Sequence, residues 1–229
     1  MKASREGADR LVERSRLLVC APLRLEALAL QPRLAPGTVR RTGYGRRSMT
    51  WAGDMAATGA VDGARALAVA GLGVGTAPAL RPGDVVVATD VVDLTRPAAP
   101  PVPCASPEIL VDILNRSGAA GGYRVRAGRV ATTGRLVRAR EARRLEVDGV
   151  VAADLESAYL AGLARGRPLA VVRVVVDTPA HPLARPDVVL RGTAALIRLA
   201  AVGAALATWA EAVWTPEPGP MDASKETQP

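Results

Sequence analysis

Short apolar runs alternate along this chain with segments whose apolar positions recur every three to four residues, the pattern of strands alternating with helices. "RLLVCA" predicts a buried strand and "LRLEALAL" a helix after it. Beyond the turn at Pro36 and Gly37, "TVRRTG" predicts a second strand and "RRSMTWAGDMAATGA" a second helix. "ALAVAG" and "DVVVATDVVDL" predict strands on either side of a glycine-rich bend, and the proline-rich "TRPAAPPVP" a surface loop. In "SPEILVDILNRS" a Ser cap, a Pro in the first turn and a Glu close behind mark a helix start. "YRVRAGRVATT" alternates as a half-buried strand does, and Ala139 to Arg144 predict a short exposed helix. Then "GVVAA" predicts a strand, "LESAYLAGLARG" a helix, "PLAVVRVVV" a strand, and Asp187 to Trp214 a mainly helical segment. Strands alternating with helices predict an α/β fold with a mixed central sheet flanked by helices.

Length changes the picture only by bounding it: 229 residues suit a single domain with a proper core. We set the folded domain at residues 16–214, between a flexible basic N-terminal segment 1–15 and a disordered tail 215–229 whose composition lacks apolar residues. No apolar run approaches the roughly 20 residues of a membrane span, and the charged N-terminus is unlike a signal peptide, so the expectation is a cytoplasmic protein. Cys20 and Cys104 lack metal spacing and read as idle thiols. The formal charge of +8 invites a nucleic-acid reading. Its distribution argues against one: the cations are almost all Arg, spread over the chain, and the patches "VRRTGYGRR" and "RLVRAREARR" lack the interleaved aromatics of a stacking platform. A basic surface leaves open a peripheral contact with an anionic membrane or a phosphate-bearing ligand.

The candidate chemistry gathers at the carboxyl ends of strands, where open α/β sheets build their sites. In chain order these are "LLVCAPLRLEALAL" with Glu26 one turn into its helix, "RTGYGRRS" with Gly43 and Gly45, "AGLGVGTAPALRPGDVVVA" with Gly71, Gly73 and Gly75, "AADLES", and "VRVVVDTP". Acids at the ends of apolar runs are costly if buried, so Asp154, Glu156 and Asp177 need a reason. Asp154 fits a helix-start acid favoured by the helix dipole.

In that order and spacing the motifs resemble the nucleoside phosphorylase and nucleosidase superfamily, over residues 17–213. The resemblance is to its methylthioadenosine/adenosylhomocysteine nucleosidase branch and, through the Thr-Gly-x-Gly turn at Thr42 to Gly45, to the hopanoid-associated phosphorylase branch. It implies a single-domain phosphorylase/hydrolase-like fold and cleavage of the N-glycosidic bond of a 5′-substituted purine nucleoside, with adenosylhopane the substrate of the second branch. It implies no cofactor and no metal, with inorganic phosphate as a co-substrate if the reaction is phosphorolysis, and a small-molecule purine nucleoside as partner, lipid-linked in the hopanoid branch. Subunits of the superfamily commonly pair as dimers near the active site.

Carried over residue by residue, the resemblance makes Glu156 the carboxylate that grips the ribose hydroxyls, with Leu155 in place of a Met that packs near sugar and base. A carboxylate can accept two charge-assisted bonds from a vicinal diol. Asp177 matches the acid that protonates the purine as the bond breaks, and Val176 stands where the superfamily has a Ser before it. Arg173 matches an arginine that holds the site's acidic groups. Glu26 lies in the register of the nucleosidase general base, yet Thr42, Gly43, Gly45 and Arg46, with Arg24, Arg40, Arg41 and Arg47 nearby, suit a phosphate, so hydrolysis and phosphorolysis both stay open. Gly71, Leu72 and Gly73 occupy the ribose side, with Leu72 a departure. The chain has no Phe; Leu136 and Val137 stand where relatives present an aromatic ring to the base, leaving aliphatic packing or a ring from Tyr44 or Tyr159. His181, the only histidine, reads as a turn residue. An inactive nucleoside-binding protein is the alternative that Val176 and Leu72 leave open.

Overall fold

The computed structural model describes residues 17–181 and 188–214, so the N-terminal segment and the tail set apart above lie outside the described residues. Eight strands and six α-helices alternate in the described chain: β1 (Leu17–Ala21), α1 (Arg24–Leu30), β2 (Val39–Arg41), α2 (Arg46–Thr58), β3 (Ala66–Gly75), β4 (Val85–Asp93), β5 (Val102–Pro103), α3 (Pro107–Gly121), β6 (Val125–Thr132), α4 (Ala139–Val147), β7 (Val150–Asp154), α5 (Ser157–Ala161), β8 (Leu169–Asp177) and α6 (Val188–Val213). The sheet is mixed and flanked by helices, as the alternation predicts.

β8 makes the sheet close on itself. It runs parallel to β3 on one side and antiparallel to β4 on the other, while β4, β6 and β7 continue in parallel register and β7 returns antiparallel to β3. Five strands thus form a ring, from which β1 and β2 extend beside β3 and β5 beside β4. β3, β7 and β8 are covered on both faces, which is why they read as continuous Val/Ala/Leu runs, whereas β6 leaves Arg126 and Ala127 exposed and alternates.

One edge of β3 changes partner along its length. Residues Ala66 to Val69 pair with β1 and Val74 to Gly75 with β7, so residues 70–73 have no strand beside them on that edge among the described residues. The sequence predicts a bend here, and the structure corrects it: Gly71, Gly73 and Gly75 continue β3 as extended strand. Their backbone angles are not those that demand glycine; what they supply is the missing side chain where neighbours crowd in.

Two apolar clusters lie on opposite faces of the sheet. One joins β1, β3, β4 and β8 to α3 and α6 through Leu110, Leu199, Leu206 and Trp209, whose indole donates to the Ala105 carbonyl at 3.2 Å. The other collects Leu18, Val69, Val86, Val171 and Leu160 under α2 and α5. α4 covers a third, smaller cluster with Ala142 and Leu145, so the helix expected to be exposed has a buried stripe.

α6 also departs from expectation. Its Arg191–Val213 stretch is long and apolar enough to cross a membrane by length and composition. Periodicity resolves what composition leaves ambiguous: Ala195, Leu199, Val202, Leu206 and Trp209 recur at helical spacing and are buried against the sheet, as a core helix requires. Cys20 and Cys104 are free thiols, and burial pushes each up to about 12.

Candidate functional site

The unpaired stretch of β3 is where the acidic side chains converge. Glu26, in the first turn of α1, is 2% exposed. One carboxylate oxygen accepts the Leu72 amide at 2.7 Å, replacing the strand partner that β3 lacks there, and the other accepts the Leu23 amide at 2.7 Å at the start of its own helix. The backbone donors at both places need an acceptor, and one carboxylate satisfies both. Burial pushes the Glu26 pKa up, against the pull of the Leu72 amide and of Arg173.

Arg173 lies in the middle of β8, paired in register with Gly71, and its side chain is fully buried. Its Nε donates to Asp154 Oδ2 at 2.7 Å and its Nη2 to Ser157 Oγ at 2.7 Å, with Glu156 Oε2 at 4.0 Å from Nη2. Among the described residues Nη1 has no hydrogen-bond partner; it abuts Gly71, where an added Cβ would stand 2.7 Å from Nη1 and 2.8 Å from Glu26 Oε1. Gly71 therefore keeps open the space between the guanidinium and Glu26. A buried arginine of this kind is far from the surface ion pair that an isolated strand arginine usually makes.

Asp154, Leu155 and Glu156 turn the chain from β7 into α5. Asp154 Oδ1 accepts the Thr132 hydroxyl at 2.8 Å and the amides of Glu156 and Ser157 at 3.1 Å each. It is a helix-start acid, as expected, and also the direct counter-ion of Arg173, which the sequence does not reveal. Glu156 is 4% exposed, and its Oε1 accepts the Gly45 amide at 2.9 Å. Its pKa is pushed up to about 7, by burial first and then by Asp154 and Glu26, with Arg173 and the Gly45 amide pulling the other way.

Gly45 belongs to the turn between β2 and α2, in which Gly43 (φ 91°) and Gly45 (φ 55°) take positive backbone angles that favour glycine. The turn brings the Gly45 amide to Glu156 and closes one wall of a cavity of about 450 Å³. Tyr44, Arg46 and Met49 line the cavity from the glycine turn and α2, Thr133, Arg135 and Leu136 from the loop after β6, and Leu155, Tyr159 and Thr95 complete the lining. Burial, and then the nearby Glu156, raises the Tyr44 pKa. The Tyr159 hydroxyl lies 3.3 Å from that of Thr95. Among the described residues, no group of three or more His, Cys, Asp or Glu side chains is arranged to hold a metal ion.

Of the residues singled out from sequence, Glu26, Gly71, Leu72, Gly73, Arg173 and Glu156 meet around the gap in β3, while Gly45, Arg46, Leu136 and Leu155 line the cavity beside it. Thr42 lies beneath the glycine turn, its hydroxyl 2.9 Å from that of Ser48. Val137 is a correction: it packs into the interior cluster under α4 with Leu145 and Val150, because the loop turns there and successive side chains face opposite ways. Asp177 ends β8, opposite Val74 across a register shift and four residues beyond Arg173; it does not line the cavity. After it, Thr178 and His181 form a tight turn in which their side chains lie 3.2 Å apart, and Arg191 of α6 donates to the His181 carbonyl at 2.9 Å. Thr95, Met49, Thr133 and Arg135 are cavity residues for which the sequence carries no signal, since they come from three separate segments.

A ringed mixed sheet carries buried carboxylates and a buried guanidinium beside a small cavity. Residues 47–208 match the model of the phosphorylase superfamily, and the chain belongs to that superfamily of nucleoside phosphorylases and nucleosidases, enzymes of N-glycosidic bond cleavage. No curated protein matches the sequence significantly. Among solved structures, the chain is similar to S-adenosylhomocysteine nucleosidase from Streptococcus pyogenes in complex with 5-methylthiotubericidin, with 20% identity, a TM-score of 0.62, and 83% of this chain and 96% of that one covered. It is similar too to 5′-methylthioadenosine/S-adenosyl homocysteine nucleosidase from Campylobacter jejuni, at 15% identity and a TM-score of 0.64, covering 84% of this chain and 98% of that one. Futalosine hydrolase of Helicobacter pylori matches at 15% identity and a TM-score of 0.60, with 86% and 97% covered. At these identities the structural likeness speaks for the fold.

Proposed function

We propose that this enzyme cleaves the N-glycosidic bond of a 5′-substituted purine nucleoside by hydrolysis, with adenosylhopane as the substrate its resemblance to the hopanoid-associated branch suggests. The observation that carries the reading is the pair of buried carboxylates, Glu26 and Glu156, on either side of Arg173 next to a nucleoside-sized cavity. A buried carboxylate of raised pKa is a stronger base than an exposed one, which suits Glu26 to take a proton from water as it attacks C1′. In this reading Glu156 accepts bonds from the ribose hydroxyls and stabilises the oxocarbenium charge, while Asp177, which ends β8 outside the cavity lining, takes from the resemblance alone the role of giving a proton to the purine as N9 leaves with the bonding electrons. The products are adenine and the 5′-substituted ribose. The names of the neighbours, nucleosidases and a hydrolase, support hydrolysis.

Phosphorolysis is the second reading, favoured by Arg46 at the cavity. Two groups that would serve a phosphate are already committed: the Gly45 amide to Glu156 and the Thr42 hydroxyl to Ser48. Tyr44, Met49 and Leu136 are all substantially exposed at the cavity and form an apolar lip that suits an apolar 5′ substituent. In this reading residues 16–214 act as the catalytic unit, in the cytoplasm and as a dimer, with no cofactor.

The test is adenine release from a panel of 5′-substituted adenosines, including adenosylhopane in detergent, with and without inorganic phosphate. Release without phosphate supports a nucleosidase; release that depends on phosphate makes the enzyme a phosphorylase and removes the role of Glu26. Adenine binding with no turnover on any nucleoside would point to an inactive binding protein.

A further inference from the structure

We infer that Asp154 is a positioning residue of this site, which holds Arg173 away from Glu26 and Glu156 so that their carboxylates stay available to substrate. The inference rests on the nucleoside-cleaving reading for its consequence, though its geometry stands alone. Asp154 spends both oxygens: Oδ2 on Arg173 Nε, Oδ1 on the Thr132 hydroxyl and on the amides of Glu156 and Ser157. One carboxylate thereby orients the guanidinium and the backbone of Glu156 together. Thr132 is itself fixed, because its hydroxyl accepts the Ala158 amide at 2.8 Å.

The arrangement leaves Arg173 short of its reach. Nη2 is directed to Ser157 and stands 4.0 Å from Glu156, and Nη1 has no hydrogen-bond partner among the described residues although Glu26 Oε1 crowds the same face of Gly71. A guanidinium in a dry site with three carboxylates around it gains most by bonding two of them bidentately. Asp154 prevents that by gripping Nε from β7. Without it, the guanidinium is free to close onto Glu26 and Glu156, where strong ion pairs would weaken the first as a base and block the second from the ribose. The charged and titratable groups facing this pair are Arg173 from β8, Asp154 from β7, the two glutamates on each other, and Tyr44 from the glycine turn. Burial is the largest influence on both glutamates, and Asp154 adds to it by repulsion while Arg173 opposes it. Loss of Asp154 moves both glutamates in one direction, toward lower pKa.

The experiment compares wild type, Asp154→Asn and Ser157→Ala in the full chain by two readouts. The first is kcat and its pH profile with 5′-methylthioadenosine as the probe; the second, independent of turnover, is the titration of the glutamate side-chain carboxyls followed by carbon-13 NMR. Asp154→Asn is expected to lower kcat by about 10- to 100-fold. Its acid limb and the titration midpoints of Glu26 and Glu156 should move down by about one pH unit or more. Removing the Asp154 charge lowers both midpoints by itself, so a purely structural ion pair is recognised by a lower melting temperature with kcat unchanged in Asp154→Asn and with the midpoints unchanged in Ser157→Ala, which keeps that charge, and that result overturns the inference. If Asp154→Asn does not fold, Ser157→Ala decides: it keeps the ion pair but releases Nη2, so the midpoints should move in the same direction to a smaller extent, and unchanged midpoints overturn the inference. A wild type without turnover on any nucleoside sinks the proposed function, while the titration still judges Asp154.

Discussion

Arg173 and Asp154 form an ion pair at 2.7 Å with both side chains sealed from water, and two further buried carboxylates stand around the same guanidinium. Burial works against the Arg173 charge, but Asp154, Glu156 and Glu26 together hold its pKa above the ordinary value. One cation serving three acids makes the site expensive to disturb. Arg173→Met should therefore destabilise the protein by about 3–5 kcal/mol at neutral pH, because it strands buried carboxylates without a counter-charge. Chemical denaturation at pH 5 and pH 7.5 checks this, and the loss should be smaller at pH 5, where protonation relieves the stranded charge.

Stability should also depend on pH in the intact protein. The Glu156 pKa stands at about 7 when folded against an ordinary 4.5, so the folded state binds more protons between these values. Stability from this group is present at low pH and is lost as pH rises from 4.5 through about 7. Glu26 shifts in the same direction. Glu156→Gln should flatten part of the fall measured by urea denaturation across that range; an unchanged slope would show that Glu156 does not titrate there.

The same residue has a functional signature. If its carboxylate binds the ribose diol, Glu156→Gln should lower kcat/KM strongly for a ribonucleoside and much less for the 2′-deoxy analogue. Equal losses on both substrates would mean that the side chain does not contact the 2′-hydroxyl.

Asp177→Asn should keep the fold, since the side chain is half-buried at a strand end, and reduce turnover by about 10²- to 10⁴-fold. The check is kcat with circular dichroism on the same sample. Full activity would remove Asp177 from the chemistry.

Gly71→Ala tests the gap in β3. The added methyl would stand 2.7 Å from Arg173 Nη1 and 2.8 Å from Glu26 Oε1, so both groups must shift. Activity should fall far more than stability, read as kcat beside the melting temperature, because Gly71 is extended and alanine suits its backbone.

Much of this was legible in the residues themselves. The alternation of apolar runs with helical periods determines the α/β order, and acids placed at the ends of those runs single out Asp154, Glu156 and Asp177, because burying an acid there has a cost that calls for a purpose; Glu26 enters only through the family resemblance. Glycine at Gly43 and Gly45 already signals a turn with positive backbone angles. Pairing across the sheet is a different matter. That β3 leaves β1 and takes up β7, exposing the Leu72 amide to Glu26, depends on strands far apart in sequence. The same holds for Arg173, which looks like any strand arginine until β8 is set between β3 and β4 and its side chain meets Asp154. Val137 and Leu136 are neighbours of equal hydrophobicity, and only the turn of the backbone sends one into the core and the other to the cavity. Local pattern determines what each segment becomes, since it reflects backbone preference and solvent contact; which charges share a dry space is decided by long-range closure of the sheet, since desolvation and Coulomb energy depend on distances that no local window contains.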